Sequence, residues 1–278
     1  MHADGVGTKA LVAEACRKYD TIGIDCVAMN VNDIICLGAE PLALVDYLAL
    51  EKPRQKLVGE IMKGLQRGAR EAGVAIVSGE TAIVPDLVRG FDLSATVVGL
   101  VRKDKVITGE NTEPGDVVLG LRSSGIHSNG LTLARKLLLT PKADLKIARQ
   151  LLRPTRIYVK EISKLLKSGL EIHGLAHITG GAYSKLKRIG QRAKVGFNLD
   201  SLPAPQHIFK TIQAKGSVSD REMFRTFNMG IGFLVTCPKA AAPRLMALVP
   251  HLLQVGHVTR DRRVEVRLGD RLVEVEEW

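Results

Sequence analysis

Three oxygen-bearing side chains interrupt an apolar stretch near the start of the chain. Residues 23–41 are rich in Ile, Val and Ala, but they also carry Asp25, Asn32 and Asp33. A helix turns about 100° per residue, so positions seven and eight apart fall near one face. Because an unpaired buried carboxylate is costly, we expect a cation there, and Mg²⁺ suits an all-oxygen site. Acids that cap a helix or form salt bridges are the simpler alternative.

A glycine-containing turn stands before this stretch. Residues 4–9 read Asp-Gly-Val-Gly-Thr-Lys and lead into a predicted helix over residues 8–19. Glycines let backbone N–H groups approach a phosphate, and both a lysine and a helix N-terminus favour an anion. The spacing is not that of a P-loop, and an ordinary turn explains the pattern equally well. The candidate nucleotide-binding residues here are Asp4, Gly5, Gly7, Thr8 and Lys9.

A second carboxylate source lies at the end of a predicted strand. Residues 78–81 read Ser-Gly-Glu-Thr, and strand ends in α/β sheets commonly bind ligands. Glu80, with Thr81 beside it, could join the acids upstream in an oxygen-rich cage for Mg²⁺ and a triphosphate. A helix cap or a solvent-facing glutamate is the alternative. The predicted metal ligands are Asp4, Asp25, Asp33 and Glu80.

Two further loops collect polar groups before helices. Residues 123–130 read Ser-Ser-Gly-Ile-His-Ser-Asn-Gly, a set that fits an oxyanion or phosphomonoester. His127 could also carry a proton near neutral pH, or it could simply be hydrogen-bonded beside a capped helix. Residues 177–181, His-Ile-Thr-Gly-Gly, also place a hydroxyl and two glycines before a predicted helix, which is a weaker indication of such a site. The candidate substrate-binding residues are Ser124, His127, Ser128, Asn129, Thr179 and Gly180.

The elements that must position these groups alternate between strands and helices. We predict strands at 42–50, 74–81, 92–101, 117–125, 174–179, 194–198 and 232–236, and a closing hairpin around Gly269-Asp270. Further helices are predicted at 54–72, 128–138, 155–167, 182–189, 206–214 and 239–249. The fold class is therefore α/β (α+β, mixed sheets). A polar, turn-rich stretch near residue 104 divides it into domains 1–103 and 104–278.

Composition excludes several classes of protein. The chain has 278 residues, 45% of them hydrophobic and 25% charged, as in a globular protein. No apolar run is long enough for a membrane span, and the four cysteines show no paired framework, which favours a cytosolic protein. The net charge of +11 is concentrated in residues 131–200, on amphipathic helices without interleaved aromatics. Nucleic-acid binding is therefore an alternative that we do not favour.

Taken in order, the motifs resemble the phosphoribosylformylglycinamidine cyclo-ligases, or aminoimidazole ribonucleotide synthetases, of purine biosynthesis. The matching blocks are DGVGTK, GIDxVAMxVNDxxxxGAEPLxxxDY, GET, SSGxHSNG, LLxPTRIYV, AHxTGG and FNxGxG, from Asp4 to Gly232. The resemblance implies a two-domain PurM-like fold, with N-terminal domains that pair into a barrel in a cytosolic homodimer. It also implies an ATP- and Mg²⁺-dependent ligase that closes the ring of formylglycinamidine ribonucleotide.

The resemblance also implies roles for individual residues. Asp4, Asp25, Asp33 and Glu80 would hold Mg²⁺ and the triphosphate of ATP, supported by Thr8, Lys9 and Asn32. Catalytic roles would fall to His127, Asp4 and Asp33.

The chain departs from the family at its start. Family members usually carry an upstream segment with a glycine-rich loop and a lysine that reaches ATP, whereas this chain begins three residues before DGVGTK. We expect either a true start further upstream or a shortened protein with an impaired barrel. An inactive nucleotide-binding chain is thus one alternative. A small-molecule kinase of the same superfamily is another, although SSGIHSNG and RPTRIY argue against it.

Overall fold

The computed structural model describes residues 1–139 and 145–276, which form two compact units. The first unit comprises Met1–Ile35, Ala39–Val101 and Ser124–Val159. The second comprises Cys36–Gly38, Arg102–Ser123 and Lys160–Trp278. The chain therefore returns to the first unit after it has begun the second, a return that no local sequence pattern predicts.

The first unit has a four-stranded sheet with helices on one face. Its strands are β1 (His2–Gly5), β2 (Glu40–Leu50), β3 (Ala75–Ile83) and β4 (Phe91–Leu100). Its helices are α1 (Lys9–Cys16), α2 (Ile22–Ile35), α3 (Gln55–Ala72), α4 (Leu131–Leu138) and α5 (Leu145–Leu151). The predicted helix over 128–138 begins at 131, after Gly130 adopts a left-handed conformation.

The strand order in this sheet is β1-β4-β2-β3. The first two pairings are antiparallel, and β2 pairs with β3 in parallel. Asp4, Ala95, Asp46 and Gly79 occupy successive positions in one row across the four strands. Alternate side chains of β2, including Leu44 and Leu48, are buried, whereas β3 is exposed along nearly its whole length. One face of the sheet therefore carries the core and the other is open.

Helices α2 and α3 approach closely because glycines line their contact. A Cβ added to Gly64 would lie 2.6 Å from the carbonyl oxygen of Asp20 and 3.0 Å from the nitrogen of Gly23. A Cβ on Gly68 would lie 3.0 Å from the Val27 side chain. The predicted helix over 54–72 is confirmed, and it ends at Gly73 in the left-handed conformation that glycine adopts easily.

The second unit has a seven-stranded mixed sheet of order β11-β10-β7-β9-β5-β8-β6. Its strands are β5 (Val117–Arg122), β6 (Gly174–His177), β7 (Gly196–Leu199), β8 (Ile231–Cys237), β9 (Leu253–Thr259), β10 (Val264–Leu268) and β11 (Arg271–Glu274). Its helices are α6 (Val159–Leu166), α7 (Leu186–Ala193), α8 (His207–Gly216), α9 (Asp220–Thr226) and α10 (Ala242–Leu248). Strand β8 is buried at every position. The hairpin predicted around Gly269-Asp270 is confirmed, because Leu268 pairs with Arg271.

The fold is thus α/β with mixed sheets, as the sequence predicts. Within the described residues, no helix combines the length and apolarity needed to cross a membrane.

Candidate active site

A buried ion pair joins α1 to α2. The Lys9 Nζ donates to Asp25 Oδ1 over 2.7 Å, and neither side chain is exposed to solvent. The same ammonium donates to the carbonyl oxygen of Arg153 over 2.6 Å. Burial lowers the pKa of Lys9, and the charge of Asp25 and its hydrogen bond oppose that shift. Lys9 therefore donates to two acceptors within the chain.

Asp25 accepts hydrogen bonds from a second direction as well. The Thr155 N–H and the Thr155 hydroxyl each donate to Asp25 Oδ1 over 2.7 Å. The Ser128 hydroxyl lies 3.2 Å from the same oxygen and 3.0 Å from Thr155 Oγ1. An ammonium and three neutral donors thus compensate this buried charge, as buried carboxylates require. Lys9 is the cation paired with Asp25 Oδ1, whereas the buried Asp25 Oδ2 has no hydrogen-bond partner among the described residues. That Asp25 also binds Mg²⁺ beside Asp33 stays a prediction.

Asn32 makes the next contact on the same face of α2. Its Nδ2 donates to the carbonyl oxygen of Arg156 over 2.8 Å, and its Oδ1 accepts from the Tyr158 N–H over 2.9 Å. Asp25 and Asn32 are seven positions apart, so they share one face of the helix, as the sequence predicts. Together they hold residues 153–158, which we call the clamped segment. The clamp explains why the helix predicted from residue 155 begins only at Val159.

The loop over residues 123–130 is fastened to the clamped segment. The Ser124 hydroxyl donates to the carbonyl oxygen of Pro154 over 2.6 Å, and the Ser124 N–H donates to His127 Nε2 over 3.2 Å. His127 is buried and has a positive φ of 62°, an uncommon conformation for a residue other than glycine. Because its Nε2 accepts from the backbone, that nitrogen shapes the loop. The buried Nδ2 of Asn129 has no hydrogen-bond partner among the described residues.

A second polar cluster forms where β1 meets α2. One ligand atom each from His2, Asp4 and Asp33 lies within 4.8 Å of the others. His2 Nε2 stands 3.4 Å from Asp33 Oδ2. His2 and Asp4 alternate along β1, so both side chains are on one face of the strand. We call these three residues the strand–helix cluster.

Asn30 fixes the geometry of that cluster. Its Nδ2 donates to the carbonyl oxygen of Asp4, and its Oδ1 accepts from the Asp4 N–H, each over 3.1 Å. Asn30 is about one helical turn before Asp33, so one face of α2 carries both the amide that hydrogen-bonds to β1 and the carboxylate of the cluster. A reciprocal pair of hydrogen bonds of this kind sets the register of the strand against the helix.

The donor set of the strand–helix cluster fits a divalent cation. Two ligands about 2.1 Å from one ion lie at most about 4.2 Å apart. His2 Nε2 and Asp33 Oδ2 are 3.4 Å apart, and all three ligand atoms lie within 4.8 Å of one another, so a small side-chain adjustment would complete the site. The buried His2 Nε2 also has no hydrogen-bond partner among the described residues. A nitrogen in this state beside two carboxylates is a ready ligand. Asp4 and Asp33, two of the four predicted metal ligands, are thus brought together.

Glu80 and Thr81 lie elsewhere in the first unit. Both are exposed on β3, where Glu80 pairs with Tyr47 and Thr81 with Leu48. Strands β4 and β2 separate β3 from β1, and three strand spacings amount to about 14 Å. A single cage of Asp4, Asp25, Asp33 and Glu80 is therefore not formed within one chain, which corrects the prediction.

The remaining predicted residues lie in loops or at the ends of elements in the two units. Gly7 has a positive φ of 53°, and Thr8 Oγ1 accepts from the Thr132 hydroxyl over 3.2 Å. Gly5 follows Asp4, whose Oδ1 accepts the Gly5 N–H over 2.7 Å. In the second unit, Thr179 is buried and its hydroxyl accepts from the Lys185 ammonium. Gly180 follows Thr179 at the end of β6, before a 3₁₀ turn.

Three residues that contact the site are not among the residues predicted from the sequence: His2, Asn30 and Thr155. The alternation of His2 with Asp4 would have identified His2 if residues 2–5 had been predicted as a strand. Asn30 shares a helix face with Asp33, and the spacing of three was available in the sequence. Nothing local indicated that Thr155 donates to Asp25, because the two are 130 positions apart.

Two family models match the chain. The N-terminal domain model of AIR synthase related proteins covers residues 1–101, and the C-terminal domain model covers residues 113–269. Together the two models, one for each domain, define an AIR synthase related protein. Among solved structures, hydrogenase maturation protein HypE is similar in fold, with a TM-score of 0.73 at 19% sequence identity. The match covers 92% of this chain and 83% of the HypE chain. Thiamine-monophosphate kinase from Stenotrophomonas maltophilia covers 90% with a TM-score of 0.67 at 21% identity, over 79% of its chain.

Sequence relatives are more specific. The phosphoribosylformylglycinamidine cyclo-ligase of Methanothermobacter thermautotrophicus is 52% identical over 96% of this chain and 81% of its own length. The enzyme of that name from Pyrococcus furiosus is 61% identical over 84% of this chain and 70% of its own length. The chain belongs to the phosphoribosylformylglycinamidine cyclo-ligase family.

Proposed function

We propose that this protein closes the ring of formylglycinamidine ribonucleotide with ATP, giving aminoimidazole ribonucleotide, ADP and phosphate in purine biosynthesis. The observation that carries the proposal is the 52% identity to a cyclo-ligase across 96% of the chain. The folded form supports it, because α2 fastens together the DGVGTK, SSGIHSNG and RPTRIY blocks. The site of action would be the cytoplasm, where these metabolites occur.

The chemistry requires a better leaving group on the formyl carbon. Transfer of the γ-phosphoryl of ATP to the formyl oxygen converts that oxygen into a phosphate ester of an imidic acid. The ring-forming nitrogen then attacks the same carbon, and inorganic phosphate departs. Catalysis of this kind depends on positioning and on neutralisation of charge more than on covalent participation by the protein.

Asp4 and Asp33 would hold Mg²⁺, which neutralises phosphate charge when it is bound. Their proximity supports this role, since one oxygen of each carboxylate lies within 4.8 Å of the other and of a His2 nitrogen. Gly5, Gly7 and Thr8 would offer backbone N–H groups and a hydroxyl to the phosphates of ATP. Glu80 and Thr81 would have to act at a separate position, because β3 is remote from β1 within one chain.

Lys9, Asp25 and Asn32 would act by positioning. None of the three is exposed, and their polar atoms bind the clamped segment. We infer that they keep this segment, and through Ser124 the loop over residues 123–130, in the shape that the substrate needs.

The loop residues Ser124, His127, Ser128 and Asn129 would face the substrate. The Asn129 Nδ2 is the clearest donor, because the described residues provide no acceptor for it. His127 would mainly hold the loop through its Nε2, and a proton-transfer role would require its other nitrogen. Thr179 and Gly180 remain proposed substrate contacts on the evidence of the resemblance alone.

A second copy of this chain is the proposed partner of the open sheet face in the first unit. Val45, Tyr47, Val98 and Leu100 are on that face and are between 37% and 68% exposed. On the edge strand β3, Ile76, Val77 and Ile83 are exposed as well. A face and edge this apolar are typical of a protein–protein interface. A homodimer that covers them agrees with the barrel implied by the resemblance.

The proposed reaction is tested by measuring phosphate release from ATP and Mg²⁺ with and without formylglycinamidine ribonucleotide. Aminoimidazole ribonucleotide is followed in parallel. We expect release that depends on the substrate and matches the product one to one. Phosphate transfer to a stable phosphorylated product, without ring closure, would instead identify a kinase.

Asn129→Ala and Asn198→Ala form a matched pair of variants for the substrate site. Asn129 Nδ2 is proposed to contact substrate, whereas Asn198 is on β7 in the second unit. We expect a lower kcat/KM by roughly tenfold for the first variant, the loss of about one hydrogen bond, and little change for the second. Equal rates in all three proteins would exclude Asn129 from the site.

A further inference from the structure

His2 makes the strand–helix cluster chemically different from an all-carboxylate site. Its Nε2 is buried, lies 3.4 Å from Asp33 Oδ2 and finds no hydrogen-bond partner among the described residues. Asp33 is therefore close to this nitrogen but outside hydrogen-bond geometry. A buried nitrogen left in this state is destabilising unless something else engages it.

The position of His2 is set by the fold. His2 pairs with Val97 and Asp4 pairs with Ala95, so the two are on the same face of β1. The Asn30 clamp on Asp4 holds the strand against α2, and Asp33 follows one turn later. The imidazole thus stands beside both carboxylates without any rearrangement of the backbone.

We propose that His2 Nε2 is a third ligand of the cation held by Asp4 and Asp33, and that it makes this site prefer a first-row transition ion such as Mn²⁺ over Mg²⁺. The inference rests on the cation site of the proposed function. Mg²⁺ is a hard ion that takes oxygen ligands in octahedral geometry. Imidazole nitrogen suits transition ions, and the affinity of a mixed nitrogen and oxygen site rises from Mn²⁺ along the first row.

The first measurement is electron paramagnetic resonance of Mn²⁺ added to the whole chain. Bound Mn²⁺ is counted from the loss of the signal of the free aqueous ion, and electron spin echo modulation then reports a directly coordinated imidazole ¹⁴N. We expect one bound Mn²⁺ per chain with an imidazole ¹⁴N coupling. Mg²⁺ should displace it only at a concentration at least about tenfold higher.

Variants assign the coupling to a residue. His2→Gln should abolish the ¹⁴N coupling and weaken Mn²⁺ binding by roughly tenfold or more, with a much smaller effect on Mg²⁺. His2→Asp should restore a third ligand and reverse the preference toward Mg²⁺. His251→Gln is the matched control, because His251 is exposed in the second unit. Thermal unfolding of each variant establishes that the proteins compared are folded.

The outcomes separate this inference from the proposed function. Mn²⁺ binding that requires Asp33 but shows no ¹⁴N coupling would support the cation site and contradict the proposed role of His2. A coupling that persists in His2→Gln would also overturn it, since another imidazole would be the ligand. Binding of neither ion, or binding that survives Asp33→Asn, would remove the cation site itself and the inference with it.

Discussion

Several single polar residues in this protein hold the site together. Lys9 and Asp25, which the sequence predicts at ATP and Mg²⁺, form a buried ion pair with each other. A buried ion pair adds little net stability compared with apolar residues, but loss of one partner leaves an uncompensated charge. We infer that the pair contributes specificity, because it forms when α1, α2 and the clamped segment meet.

Lys9→Met should be severely destabilising, because it leaves Asp25 buried with only neutral donors. We expect the free energy of unfolding to fall by about 3–5 kcal/mol, measured by urea denaturation. Lys63→Met is the matched control, since Lys63 is exposed on α3 and should change the value by less than about 0.5 kcal/mol. Similar values for the two variants would show that the ion pair does not support the fold.

His173 makes part of the stability depend on pH. Its Nδ1 lies 2.7 Å from Asp116 Oδ2, and its Nε2 lies 3.0 Å from Glu171 Oε1. Burial is the largest single influence and lowers the pKa of His173, but the hydrogen bonds and charges of Glu171 and Asp116 together outweigh it. The pKa is therefore raised above the ordinary 6.5.

The raised pKa sets the sign of the pH effect. The stabilisation is fully present below about pH 6.5 and is lost as pH rises through the folded-state pKa. We expect the stability difference between the wild type and His173→Gln to shrink steadily above pH 6.5 in urea denaturation series. The exposed His251→Gln should show no such trend. A difference that grows with pH would contradict the assignment.

Among the elements, α2 is the organiser of the first unit. One face holds the clamped segment through Asp25 and Asn32, another holds β1 through Asn30, and a third packs on α3 through Gly23. The sequence predicted a helix with polar residues on one face. In the structure Asp33 is displaced from Asn32 by one residue, about 100°, so it turns to β1 instead. One residue of offset separates structural support at Asn32 from the proposed cation site at Asp33.

Gly64→Ala should weaken the contact between α2 and α3. The new methyl would lie 2.6 Å from the carbonyl oxygen of Asp20, a backbone atom that cannot rotate away. We expect the free energy of unfolding to fall by about 1–3 kcal/mol, as for other overpacked contacts. Gly59→Ala on the same helix has no atom within 4 Å and should instead stabilise by about 0.5–1 kcal/mol. Opposite signs for two identical substitutions are the test.

At the scale of the whole molecule, the chain crosses between its two units more than once. Residues 124–159 leave the second unit to complete the site of the first. The polar residues of α2 explain the return, because Asp25 and Asn32 hydrogen-bond to Thr155, Arg156 and Tyr158 in this later segment. The four-stranded sheet has in turn an open apolar face, for which we propose a second copy of the chain.

Tyr47→Lys should disrupt the proposed homodimer. Tyr47 is 45% exposed on the open sheet face, and a lysine there would bring like charges together across a two-fold interface. We expect sedimentation velocity to give a dimer for the wild type and mainly a monomer for the variant. Leu272→Lys, at a residue 49% exposed on β11, should remain dimeric. A wild type that sediments as a monomer would reject the homodimer outright.

The sequence alone determined the family, the α/β class, most of the elements and the identity of the polar residues on α2. Local periodicity and the order of the motifs carry that information, and both can be read directly from the linear sequence. It did not determine which polar group meets which. Asp25 finds Thr155 across 130 positions, and Asp4 is parted from Glu80 by two intervening strands. Residues this far apart in sequence pair only when the hydrophobic core forms, because a charge that becomes buried then needs a compensating partner. Only the tertiary structure therefore shows Lys9 paired with Asp25, and His2 beside Asp4 and Asp33.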